Sequence, residues 1–273
     1  MYERRFIAFI DLLGFGSLVE KSAVEPDLPH KILYALFTLQ PKNIEEEAYA
    51  SINYEICPPE EVLAVRELLE QMTKNIKSMH PVVITYFSDS LVLSARSDDV
   101  IASQMILDLL AKLTIKMWVD HSLILRGGIT EGQLIHIENG PLFGPAMNRA
   151  YYLESKLAKH PRVLIDNESL EKYRLVDTFR LFESFFEKDG EFHYTSLGTA
   201  YRHIINDSSL ALSGEAVLSK FRDSLAGTTS RLSRIMNEQE DEGIKSKYCW
   251  LIKEISARKN EIQQPNIALQ GTC

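Results

Sequence analysis

Two aspartates in this chain stand where apolar residues are expected. Asp11 interrupts FIAFIDLLGFG over residues 6–16, and Asp89 interrupts VVITYFSDSLVLSA over residues 82–95; both are β-branched and aromatic runs of strand length. Burying an ionised carboxylate costs several kcal/mol unless a cation or a set of donors compensates it. Taken singly, each has a plain structural explanation: Asp11 ends a strand, and Asp89 sits in a polar Ser88-Asp89-Ser90 hairpin turn, bonded to nearby amides. Taken together they suit a shared metal ion. The turn that follows Asp11, Leu12-Leu13-Gly14-Phe15-Gly16, adds glycines that let backbone amides approach an anion closely.

The elements that must position these groups follow from periodicity. Residues 17–38 predict a helix closed by Pro41, and Pro58-Pro59 with Glu60-Glu61 start a second, whose stripe is Val62, Val65, Leu69, Met72, Ile76 and Met79. After the Asp89 hairpin, Ser97-Asp98-Asp99 caps a helix with Ile101, Met105, Leu109, Leu113 and Met117 on its apolar stripe. Residues 122–140, SLILRGGITEGQLIHIENG, predict two strands joined through a turn at Glu131-Gly132. A helix over 145–158, a short strand Val163–Ile165 and a hairpin turned at Lys188-Asp189-Gly190 come next. Strand and helix mix without regular alternation. That pattern predicts an α+β fold, a mixed and largely antiparallel sheet with helices on one face, and argues against a doubly wound one. From about residue 205 the pattern is helical only, with Val217, Phe221 and Leu225 on one stripe and Ile244, Tyr248, Leu251 and Ile255 on another. The expected division is a domain over 1–204, a helical extension over 205–262 and a loose tail over 263–273.

Composition narrows the function classes. A formal charge of −8 and a pI near 5.5 argue against nonspecific nucleic-acid binding, which needs a basic face to displace counterions. Cys57, Cys249 and Cys273 form no CxxC pair and predict reduced thiols in a cytoplasmic setting; the histidines show no HxxxH spacing, so zinc is not expected. Neither a signal peptide nor a bilayer-spanning segment is expected.

At four places the residues meet a family. Phe9-Ile10-Asp11-Leu12-Leu13-Gly14-Phe15 is similar to the FxDIxGF strand of the class III nucleotidyl cyclases, and Ser88-Asp89 before SLVLSA to their second metal aspartate. Arg126-Gly127-Gly128-Ile129-Thr130-Glu131-Gly132 resembles their RxGIxxG strand, and Gly144-Pro145-Ala146-Met147-Asn148-Arg149-Ala150 the start of their late helix. The resemblance spans roughly residues 5–200, in order. It implies a palm-like core and two Mn²⁺ or Mg²⁺ ions on Asp11, Asp89 and the Leu12 carbonyl. It also implies amides of Leu13, Gly14, Phe15 and Gly16 around the phosphates of a ribonucleoside triphosphate, Arg126 paired with them, and Asn148 orienting the ribose. In that family the aspartates come from one subunit and the Asn from its partner, so a homodimer is expected.

The departures from the family matter as much. Purine cyclases read their base with a Lys and an acid at positions held here by Thr85 and Pro141, and they stabilise transition-state charge with an Arg where this chain has Tyr152. Either Arg149, Lys156 or another basic residue substitutes for that cation, or the enzyme is slow; the plain structural explanation of Tyr152 is helix packing. This combination is most similar to the pyrimidine cyclases of bacterial anti-phage defence, the Pycsar type, and implies cyclic UMP or cyclic CMP as product, with Tyr86, Tyr49 or Tyr54 near the base. The alternatives are a purine cyclase, or a regulatory or nucleotide-binding protein on a degenerate cyclase fold.

Overall fold

The structure is a computed structural model, and it describes residues 1–44, 62–174, 185–206 and 215–263. Tyr49, Tyr54 and Cys57 lie outside the described residues, as does nearly all of the expected tail.

The chain runs through β1 (Glu3–Leu12), α1 (Phe15–Ser22), α2 (Leu28–Thr38), α3 (Val62–Met79), β2 (Val83–Phe87), β3 (Ser90–Arg96) and α4 (Val100–His121). There follow β4 (Leu125–His136), β5 (Leu142–Phe143), α5 (Pro145–Tyr152), a π-helical turn Leu153–Leu157, β6 (Val163–Ile165) and α6 (Asn167–Arg174). The rest comprises β7 (Glu187–Asp189), β8 (Phe192–Thr195), α7 (Leu197–Asn206), α8 (Glu215–Asn237) and α9 (Glu242–Gln263). Among the described residues the sheet has eight strands in the order β2-β3-β1-β4-β6-β8-β7, with β5 beside the end of β4. Only the β4–β6 pair is parallel. The expected α+β class holds.

Strand alternation in β1 divides the molecule into two layers. Phe6, Ala8, Ile10 and Leu12 point into the main core beneath α4, α7, α8 and α9, whereas Ile7 and Phe9 pack with Val92 and Leu134 under Ala146 and Ala150 of α5. The helices therefore lie mainly on one face, as expected, and one short helix lies on the other. The C-terminal helices share the main core: Leu225, Leu232, Leu251 and Ile255 are buried in it, and Trp118 Nε1 donates to Thr228 at 3.0 Å.

Four local expectations are corrected. The single helix over 17–38 is two, broken around Pro26, which supplies no amide and disfavours helical backbone just before it. No turn occurs at Glu131-Gly132: β4 continues through both, with Arg5 opposite Gly132 and Phe6 opposite Glu131. Glycine stands there because α5 comes close, since a Cβ at Gly132 would sit 3.3 Å from Ala146 Cβ and one at Gly128 only 2.2 Å from the Ala150 carbonyl. On α4 the buried stripe is Ala102, Ile106, Leu110, Leu113 and Met117, while Ile101 is exposed, because this helix is covered by the sheet on one side and by α7 and α8 on the other. The helix over 145–158 is α-helical only to Tyr152 and finishes as the π-turn. The Asp99 cap and the Gly190 hairpin form as expected, the Asp99 carboxylate accepting from the Ala102 amide at 2.9 Å.

Candidate functional site

The end of β1 delivers Asp11 to the α5 face of the sheet, in register with Ser90 on β3 and Arg126 on β4. Asp89 lies in the two-residue turn between β2 and β3, made possible by Ser88 in the left-handed region (φ 54°). The Leu12 amide donates to the Asp89 carbonyl at 3.2 Å, which ties this turn to the end of β1.

The two carboxyl groups are close enough to hydrogen-bond, and the Asp11 carboxyl is pushed up from 3.8 to about 7. Burial is the largest cause; the neighbouring charges of Asp89 and Glu154 add to it, and Arg126 opposes it. Glu154, the first residue after the start of the π-turn, is buried and ion-paired to Arg126, whose Nη2 also lies 3.6 Å from Asp11 Oδ2. Burial raises the Glu154 carboxyl too, against the lowering effect of Arg126. Asp11 and Glu154 thus face one guanidinium with Asp89 close by, a surplus of negative charge that a divalent cation would compensate. Asp11, Asp89 and the Leu12 carbonyl suit such an ion by charge and by oxygen chemistry. Among the described residues no group of three or more His, Cys, Asp or Glu side chains is arranged around a common ion position.

Ser90, whose Oγ donates to Asp11 Oδ1 at 3.5 Å, connects this cluster to a cavity of about 470 Å³ between the β2–β3 hairpin and α5. Thr85, Ser90 and Asn148 are its polar lining, and Phe9, Phe87 and Tyr151 its aromatic lining. One chain therefore places the carboxylate pair, Thr85 and Asn148 on one face of the sheet.

The remaining predicted residues fall into place unevenly. Gly14 (φ 80°) opens α1, so the amides of Gly14, Phe15 and Gly16 belong to the helix start that lacks intrahelical partners, but the Leu13 amide is taken by the Ile124 carbonyl at 2.9 Å. Arg126 is held by Glu154 and Asp11. Arg149 forks onto Asp166, which also accepts from Thr130 at 2.7 Å, and its guanidinium lies 5.6 Å from the Tyr152 ring centre. Tyr152 and Lys156 are exposed, so Tyr152 is not a core packing residue. The Pro141 carbonyl accepts from the Ile137 amide at 3.1 Å.

Sequence reasoning missed Glu154 and His136. Glu154 follows Leu153 in the helix that carries Asn148, and the π-turn, which often marks functional positions, turns it inward; no residue pattern announces such a turn. His136 has a signal in hindsight: it continues the α5-facing alternation after Leu134.

No family model matches the chain, and no curated protein matches it. Among solved structures it is similar to the adenylyl cyclase CyaB from P. aeruginosa at 13% identity, over 72% of this chain and 94% of that one, with a TM-score of 0.42. A bacterial light-regulated adenylyl cyclase shares 14% identity over 81% of this chain and 99% of that one, TM-score 0.36. The guanylate cyclase domain of RhGC from Catenaria anguillulae, in complex with GTP, shares 12% identity over 71% of this chain and 97% of that one, TM-score 0.33. Likenesses this distant carry no argument about the site.

Proposed function

We propose that this chain is a nucleotidyl cyclase that converts UTP or CTP to the 3′,5′-cyclic nucleotide and pyrophosphate. The observation that carries the reading is the partly buried Asp11–Asp89 pair, linked through Ser90 to a cavity whose polar lining includes Thr85 and Asn148. Asp11, Asp89 and the Leu12 carbonyl are the groups that would hold two Mn²⁺ or Mg²⁺ ions, whose chemistry is to acidify the ribose 3′-hydroxyl and neutralise triphosphate charge. The amides of Gly14, Phe15 and Gly16 bind phosphate oxygens, Asn148 fixes the ribose for in-line attack, and Thr85 meets the base. Neither Arg126 nor Arg149 is free of a carboxylate partner, so transition-state charge is less well compensated than by a dedicated arginine, and turnover is slow.

Thr85 offers one hydroxyl, too little for a purine edge but enough for one contact on a pyrimidine. The exposure of Phe87 (78%), Tyr151 (53%) and Tyr152 (46%) on the α5 side supports a homodimer in which a second subunit covers them. Use of the product as a messenger in anti-phage defence follows from the family resemblance alone. Among the described residues no helix is long and apolar enough to cross a membrane.

The engagement of both arginines favours one other reading, a nucleotide-binding regulatory protein without turnover. Incubating purified protein with Mn²⁺ and each of the four ribonucleoside triphosphates, then separating products by chromatography, decides between them. Fastest formation of a cyclic pyrimidine nucleotide is expected. A purine as best substrate would remove the pyrimidine claim, and no product from any nucleotide would leave the regulatory reading.

A further inference from the structure

The cavity's base-side hydroxyl is set from behind by a buried polar chain. Thr85 Oγ1 lies 2.9 Å from His136 Nε2, and His136 Nδ1 lies 2.7 Å from Ser94 Oγ. Arg5 donates from Nε to Ser94 Oγ at 2.9 Å and from Nη2 to the Ser94 carbonyl at 3.1 Å. Ser94, Arg5 and His136 are all buried, and of the chain only Thr85 reaches the cavity.

One end of the run of hydrogen bonds is fixed, and the arrangement that gives every proton an acceptor starts from it. A guanidinium has donors only, so Ser94 Oγ accepts from Arg5 and has its own proton to place. The arrangement in which this proton finds an acceptor among the contacts present directs it to His136 Nδ1. The imidazole is neutral, because burial first and the Arg5 charge second push its protonation down to about 4. With Nδ1 accepting, a neutral ring carries its proton on Nε2 and donates it to Thr85 Oγ1. One lone pair of the threonine oxygen is thereby occupied, and its proton is left to the cavity side. A threonine hydroxyl ordinarily donates or accepts as its ligand demands; this one has an acceptor position taken and its proton left for the ligand, which favours donation.

We propose that Arg5, Ser94 and His136 form a specificity device that presents Thr85 to the base as a hydrogen-bond donor, so that the site takes the 4-keto oxygen of uracil and disfavours the 4-amino group of cytosine. The proposal rests on the pyrimidine reading above and narrows it to UTP. His136 is a positioning residue, since it touches Thr85 and not the nucleotide. The Pro141 carbonyl, the other group at the base-reading positions, accepts from the Ile137 amide and does not line this cavity.

The test compares UTP with CTP in binding, measured with Ca²⁺ and no turnover, and in kcat/KM with Mn²⁺. The wild-type protein is expected to prefer UTP by about tenfold or more, the effect of leaving one buried polar group unmatched. Thr85→Val, which keeps the shape without the hydroxyl, and His136→Phe, which frees the hydroxyl, should each bring the ratio near one. His136→Gln retains an acceptor and a donor and should keep most of the preference. A merely structural role for His136 would weaken both nucleotides together and leave the ratio unchanged. Nitrogen NMR of the wild-type protein should show His136 as the neutral Nε2–H tautomer, which needs no variant to fold. Equal or tighter binding of CTP, a ratio untouched by Thr85→Val, or an Nδ1–H tautomer would overturn the proposal. UTP-selective binding without cyclic product would instead support the relay and overturn the cyclase reading.

Discussion

The two faces of the sheet are made from alternate residues of the same strands and behave as two different materials. One face is continuous core: Phe6, Ile10, Leu91 and Leu93 lie under α4 and the C-terminal helices. On the other, α5 covers Ile7, Phe9, Val92 and Leu134 and stops, so that a cluster of acids remains at one end and the Thr85–His136 chain at the other. Complete cover excludes water and gives stability; partial cover leaves charged groups desolvated enough to have altered chemistry yet open enough to meet a ligand.

The largest expected effects separate the faces by what they lose. Asp11→Ala or Asp89→Ala should lower cyclisation by about a thousandfold or more while leaving the melting temperature unchanged or raised, because each deletes a carboxylate repelled by its neighbour in the metal-free protein. Ile106→Ala, in the main core, should cost about 2–5 kcal/mol in denaturant unfolding and leave the activity of the folded fraction near wild type. Should an aspartate variant unfold, or cyclise at the wild-type rate, the division between the faces fails.

A second experiment asks whether the open face is completed by another copy. In the family the chain resembles, the aspartates of one subunit work with the Asn of the other. On that arrangement Asp11→Ala and Asn148→Ala proteins, each inactive, should regain about a quarter of wild-type activity when mixed, since half the dimers are then mixed and each has one intact site of two. No recovery, with subunit exchange demonstrated by labelled chains, would mean that one chain holds a whole site.

How much of this was legible beforehand differs between the faces too. The apolar alternation of β1 and β3 and the glycine and acid spacings were visible, because strands and tight turns write themselves locally. The failures were long-range. Gly132 looked like a turn and is a seat for Ala146, and Ile101 looked buried because the helices that cover α4 arrive only from residue 197 onward. Arg126 looked like a phosphate ligand, and its partner Glu154 is brought in by a π-turn with no sequence signature. Thr85 was singled out for its position, but the histidine that commits its hydroxyl reaches it from the far end of β4, a relation that only the fold supplies.

The seating of α5 gives an intermediate effect. Gly128→Ala would place a Cβ 2.2 Å from the Ala150 carbonyl, against backbone that cannot yield as a flexible side chain would. Such overpacking should cost about 1–3 kcal/mol and move Asn148 with the helix, so activity should fall with stability. A variant that loses stability alone would show that the open face tolerates displacement of this helix.

The smallest expected effect is the most specific to the acid cluster. With the folded Asp11 carboxyl near 7 and the unfolded one at 3.8, the folded chain binds the proton more tightly, so this group stabilises the fold at low pH and the contribution is lost as pH rises through that interval. Asp11→Asn removes the titration and resembles the protonated acid. Without divalent ions the variant and the wild-type protein should melt together only below about pH 4, and the variant should melt progressively higher from there to about pH 8. A gap of about 2–4 °C corresponds to 1 kcal/mol at this chain length. Adding Mn²⁺ at the higher pH should raise the wild-type protein alone and close the gap, because a bound cation favours the ionised pair that the variant lacks. A gap of the same size at both pH values would show that Asp11 is not held protonated by its burial beside Asp89. A gap that Mn²⁺ leaves open would separate the carboxylate pair from metal binding.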